Sequence, residues 1–461
     1  MRTIKILLKV FVLIFLILFV LVTFTYYNDR FYKSAIELSK ENPYFLKPLE
    51  LLDNLYNELD LYKYIQKENL SESKVYRIQF SGSDVKKVKE QIEMFKEVGY
   101  IKDELNIWRK AKVIVNNKEQ KVKFKLHGTS VSPLANDNGF SLRIKHKKED
   151  SYYNLMREYS LLSSKDDLDI STISINNIAS EFGLLAPHGE MVIAKINNVP
   201  VGMFMLVEHH GKEWFERLHQ MTNYTILKSN DDWDRKENTS GTAHISSSDI
   251  SVNNKEVKTT SLKSSEALGA LHNLFEAIRE NNIDLIKDLV DLDYAARFMA
   301  LSVLANNAHP LAGDNFKFIY DHTSGKFKFL FRIEDTIKPI SSSLLDFNSS
   351  WFLSYFVSSD NFELFKKLTS DSSFRSLRDH YLNQLVNEKE NILSKANSIF
   401  DSNHQVLLNS ELSLRRESIN KRVYLDNLQN NLTRIEEYLS YSKVFVTIST
   451  TSKDEYKLSV P

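Results

Sequence analysis

The sequence predicts an α+β protein with a β-rich first part, a mainly helical second part, and one membrane-crossing segment ahead of both. Three observations carry that expectation. Extended runs with period-two alternation flank asparagine-rich turns between residues 112 and 207, helical patterning dominates 362–438, and residues 10–28 form an uncharged apolar run. At 461 residues, 42% hydrophobic and 11% aromatic, the chain can bury the core of one large or two ordinary domains. Its 60 Lys+Arg balance 60 Asp+Glu, so there is no overall electrostatic drive toward nucleic acid and no nucleic-acid partner is expected. The absence of cysteine excludes disulfide frameworks, thiolate zinc sites, iron–sulfur clusters and cysteine nucleophiles.

Arg2, Lys5 and Lys9 precede the apolar run, and Arg30 and Lys33 follow it. As a helix, residues 10–28 would span roughly 29 Å, about one hydrocarbon core. The basic flank predicts a cytoplasmic N-terminus at 1–9 and an extracytoplasmic remainder. No small-x-small cleavage site follows at 23–27, which favours an uncleaved signal anchor over a cleaved signal peptide. Residues 29–110 read as a linking helical region, with a short strand at 75–80 and a helix at 83–99. Strands follow at 112–115 and 122–126 around Asn116-Asn117, then at 140–145. A helix at 173–182 ends before Gly183, placed as a C-cap. A second hairpin turns at Asn197-Asn198, a short helix covers 212–218, and the polar stretch 229–261 is too long for a plain connector. Helices at 265–278 and 292–306, a strand pair at 316–320 and 327–333, further helices to 438, and an extended tail at 441–461 complete the chain. A β-rich lobe followed by a helical lobe with an embedded β-ribbon is the layout of a bilobal protein-kinase-like fold, here preceded by one transmembrane helix.

The order of several short motifs resembles the CotH (spore coat protein H) kinase-like family. They are Lys-Phe-Lys-Leu-His-Gly-Thr-Ser at 123–130 leading to Ser-Leu-Arg-Ile-Lys at 141–145, and Leu-Leu-Ser-Ser-Lys-Asp-Asp at 161–167. Ile-Asn-Asn-Val-Pro-Val-Gly at 196–202 running on to Glu208, Asp-Asn-Phe-Lys-Phe-Ile-Tyr-Asp at 314–321, and Phe-Arg-Ile-Glu-Asp at 331–335 complete the set. The resemblance covers roughly 113–439 and makes 111–440 the CotH kinase-like domain. It implies an atypical protein kinase fold and, for some members, phosphate transfer from ATP to protein.

In that resemblance Lys145 meets the nucleotide phosphates, and the bland alternative is an edge-strand lysine with a solvated head. Gly128, Thr129 and Ser130 would bring backbone N–H groups and hydroxyls to phosphate oxygens, or simply make a turn. Glu208 would pair with Lys145, or carry a surface charge. Asn315 and Asp335 are hard oxygen ligands for Mg²⁺ or Mn²⁺; they flank two strands joined by a turn at 322–325 and so converge at one open end, although each also suits a strand cap. The catalytic base expected five residues before Asn315 is replaced by Pro310. His309 and Asp314 are the substitute candidates, with structural roles as their alternatives. Other chemistries lack their signatures: His209-His210 has no third ligand at metal spacing, and no Gly-x-Ser-x-Gly elbow or calcium-loop pattern occurs. Two functions remain. One is a membrane-anchored extracytoplasmic kinase using ATP and a divalent metal on protein substrates; the other is a catalytically silent envelope or coat assembly factor.

Overall fold

The computed structural model describes residues 75–98, 105–115, 117–127, 140–147, 156–163, 169–197, 199–229, 250–252, 259–306, 316–332, 337, 339–340, 360–408, 414–441, 447–452 and 455–459. The expected anchor at 10–28 lies outside them, and among the described residues no helix is long and apolar enough to cross a membrane.

Seven strands close into a barrel: β1 (Val75–Gln79), β2 (Arg109–Val115), β3 (Lys118–Leu126), β4 (Leu142–His146), β5 (Glu158–Ser163), β6 (Gly189–Ile196) and β7 (Val199–Glu208), in the order β1-β2-β3-β4-β5-β7-β6. The hairpin turns form where asparagine tolerates positive φ, at Asn117 (59°) and Asn197 (48°). Closure comes from β1, which pairs antiparallel with β2 and parallel with β6. Alternation sends Val122, Phe124, Leu142, Ile144, Tyr159 and Leu161 inward. Helix α1 (Gly82–Val98) adds Val88, Ile92 and Phe95 to that core.

This closure corrects the bilobal protein-kinase-like layout expected from the sequence. The β-rich part is a barrel whose edges satisfy each other, not an open sheet forming one lobe of a kinase. The expected β-ribbon is also larger than a hairpin: β8 (Tyr224–Ser229), β9 (Ile250–Val252), β10 (Lys317–Asp321) and β11 (Lys326–Phe329) make one sheet in the order β11-β10-β8-β9. A separate hairpin of β12 (Thr447–Ser452) and β13 (Glu455–Ser459) lies in the tail.

A second core joins that sheet to the helices α2 (Asp169–Glu181), α3 (Lys212–His219), α4 (Ser261–Arg279), α5 (Ile283–Leu289), α6 (Leu292–Ala305), α7 (Asp360–Ser370), α8 (Ser372–Asn387), α9 (Lys389–Leu408) and α10 (Leu414–Tyr441). Helix α6 is apolar on nearly every face and runs through its centre, with Phe298 packed on Phe316, Phe329, Phe331 and Phe365. Asp291 caps its start and Asn306, at φ 45°, ends it. Strand β6 is shared between the cores, with Val192 and Ala194 in the barrel and Met191 in the helical core. Asn403 of α9 ties the two together by accepting from Met191 N at 3.0 Å.

Candidate functional site

The alternation that buries Leu142, Ile144 and His146 of β4 puts Arg143 and Lys145 on the outside of the barrel. On β3 it does the same for Lys121, Lys123 and Lys125. Register then sets like charges directly opposite one another: Lys123 against Lys145, Lys125 against Arg143, and Lys110 of β2 against Lys123. Such pairs weaken a sheet unless an anion lies among them. One anion is supplied by the chain itself. Glu158 of β5 lies opposite Lys145, 2.7 Å from its Nζ, and accepts from Arg143 Nε at 2.5 Å.

Three more side chains complete this face. Arg143 also contacts the ring of His209, just past β7. His127, at the end of β3, lies with Nδ1 2.9 Å from Ser160 Oγ. Arg332 reaches the cluster from beyond β11, where the bridge between Leu185 and Leu330 and a bond from Phe331 N to Leu185 O (2.9 Å) fix the chain. Burial and the surrounding positive charges of Arg332, Arg143, His209 and Lys125 hold the His127 imidazole well below its usual pKa, so it is neutral at pH 7. Burial pushes Glu158 up, but Arg143, His209 and Lys145 outweigh it and keep the carboxyl below its ordinary range. Among the described residues, Arg143 and Lys145 therefore meet on the ionised Glu158 while Arg143, Lys125 and Arg332 surround His127, a local surplus of positive charge in a chain whose formal net charge is +0.

Of the residues expected at the site, Lys145 stands within this cluster. Glu208 does not meet it. Glu208 lies opposite the inward-facing Tyr159, is 3% exposed, and pairs with Arg217 of α3. Burial raises its pKa, and the hydrogen bond from Arg217 offsets that only in part. Gly128, Thr129, Ser130, His309, Asp314, Asn315 and Asp335 lie outside the described residues. Their described neighbours His127 and Arg332 meet at the cationic face. Glu158 and Ser160 are not singled out from the sequence; Lys125, His127, Arg143 and Arg332 stand in its motifs without an assigned role, and His209 is weighed there only as a metal ligand. The alternation of cations at 121, 123, 125, 143 and 145 was the signal that could have found part of the set.

A cluster of this kind suits a polyphosphate: guanidinium and ammonium donors, dense charge and half-buried walls. It does not suit a divalent cation, because Glu158 is already engaged by two cations. Among the described residues no group of three or more His, Asp or Glu could hold a metal ion.

No curated protein matches the chain. Among solved structures it is similar to the proinflammatory kinase CtkA of Helicobacter pylori, at 12% identity and a TM-score of 0.27, over 66% of this chain and 93% of that one. The family model described as CotH kinase protein matches residues 125–446, well over half of the sequence and all of β4 to β11. The chain therefore belongs to the CotH kinase family.

Proposed function

We propose that this protein binds the triphosphate of ATP on the outer face of its barrel and transfers the terminal phosphoryl group to protein hydroxyls. The observation that carries the reading is the set of like-charged cross-strand pairs around Glu158, an arrangement that a bound polyanion would stabilise. Lys125, Arg143 and Lys145 would hold phosphate oxygens. Glu158 would hold Arg143 and Lys145 in fixed rotamers, and neutral His127 with Ser160 would hydrogen-bond at the same edge. Gly128, Thr129 and Ser130 follow His127 directly and would add backbone donors. Family membership suggests a divalent metal beside ATP; Asn315 and Asp335 carry the hard oxygen donors it needs, and the metal would neutralise developing phosphate charge. In the transfer, the bond from the terminal phosphorus to the ADP oxygen breaks, a bond to the acceptor oxygen forms, and the acceptor proton passes to His309 or Asp314. Glu208 stays in the proposal as a residue holding Arg217, at one remove from the phosphates. Anchoring through residues 10–28, with the domain outside the cytoplasm, is part of the same proposal and rests on the uncharged apolar run for the anchor and on the basic flank for its orientation; a reporter fused after Pro461 tests it.

One observation favours the second reading, a catalytically silent envelope or coat assembly factor: Pro310 occupies the position of the expected base. Radiolabelled ATP, with envelope fractions as acceptor, separates the two. Transfer by the wild type that is lost in Asp335→Ala, and reduced about 10²–10⁴-fold in either His309→Ala or Asp314→Asn, is the expected outcome. ATP binding without transfer to any fraction leaves the silent reading.

A further inference from the structure

Trp108 lies just before β2 and outside the span of the family match. It is half-buried, and the ammonium groups of Lys125 and Lys145 both stand over its ring, 5.6 and 5.8 Å from the centroid. The segment carrying it is fixed rather than loosely draped. Asn106, 5% exposed, clamps the main chain of Leu126, donating to Leu126 O at 2.9 Å and accepting from Leu126 N at 3.1 Å. Gln91 of α1 donates to Leu105 O at 2.5 Å. On either side of Asn106 two aliphatic side chains are left open to solvent, Leu105 at 43% and Ile107 at 56%.

An aromatic ring beside two cations, on an anchored segment with exposed Leu105 and Ile107, is more than a bare phosphate requires. We infer that Trp108 is the nucleobase platform of the site: the base of a nucleoside triphosphate stacks on its indole while Lys125, Arg143 and Lys145 take the phosphates. The inference rests on the nucleotide reading above and adds the element that distinguishes a nucleotide from a simple polyphosphate. Its physical basis is that every base offers a π-face, whereas inorganic triphosphate offers only charge. The two lysines over the indole link the halves of the site, since the cations that meet the phosphates also orient the ring.

Calorimetric titration of the intact chain with ATP and with inorganic triphosphate, in one magnesium buffer, tests it. The wild type should bind ATP more tightly than triphosphate. Trp108→Ala should weaken ATP about tenfold and leave triphosphate unchanged, and Trp108→Phe should recover most of the ATP affinity. Equal weakening of both ligands would mean that the ring only packs the lysines, and unchanged ATP affinity would mean that no base stacks there; either result overturns the inference while the nucleotide reading stands. A wild type that binds neither ligand overturns the nucleotide reading and this inference with it.

Discussion

His219, at the last turn of α3, shows how one side chain can set a pH limit. Its ring packs against Trp214 with centroids 4.4 Å apart, and burial, helped by Arg217 and Lys328, lowers its pKa to about 4. The unfolded chain takes up this proton near pH 6.5 and the folded chain only near 4, so the stabilising difference is intact above 6.5 and is lost as pH falls between the two values. The slope is at most about 1.4 kcal/mol per pH unit. His127 adds to it with the same sign. We expect His219→Phe to flatten the loss of stability between pH 6.5 and 4, measured by urea unfolding across that range; an unchanged slope would show that this ring does not titrate between folded and unfolded states. None of this was legible in the sequence, where His219 is one histidine among 12. Lys145 was legible, as the cation after a glycine-containing turn, but its partner was not. Glu158 becomes visible only when the register of β4 against β5 is known.

Helix α10 acts at the next scale through two asparagines on its buried side. Asn431, fully buried, donates to Leu304 O at 2.8 Å and accepts from Ile340 N at 2.7 Å, and Asn427 donates to Ile337 O at 3.0 Å. Asn306 donates to Pro339 O at 2.5 Å. The end of α6, which leads toward Asn315, and the segment just after Asp335 are thus held to each other and to one helix. Asn431→Leu removes both bonds and strands a buried carbonyl and a buried N–H, a loss of about 2–4 kcal/mol in chemical denaturation; a variant as stable as wild type would mean that these groups find other partners. The helices themselves were legible from their helical patterning over 292–306 and 362–438, while the caps at Asp291 and Asp371 that start α6 and α8 emerge only in the structure. Strands β5 and β8 were not. The polar-apolar alternation of β5 lasts only from Glu158 to Leu161, and in β8 it stops at Leu227 after Tyr224, Thr225 and Ile226, so each pattern is too short to announce a strand, although Ser160 and Thr225 are buried with their apolar neighbours.

At the scale of the whole molecule, the hairpins were readable because Asn117 and Asn197 announce their turns, while the barrel was not. Its closure depends on Val75 meeting Ile193 in a parallel pair across more than a hundred residues, and no local pattern encodes a contact of that range. The barrel is what turns scattered lysines into a site: β3 and β4 set their outward cations side by side, β5 sets Glu158 among them, and the chain beyond β11 brings Arg332 to the same place. That convergence on a polyphosphate is the central claim, and the shift in melting temperature of the intact chain with magnesium and ATP tests it most directly. Saturating ligand at about 100 times its Kd should stabilise the fold by about 2.7 kcal/mol, and Arg143→Ala with Lys145→Ala should abolish the shift while the unliganded protein stays folded. A wild type whose melting temperature does not move with magnesium and ATP, or a double variant that shifts as far as wild type, would contradict it.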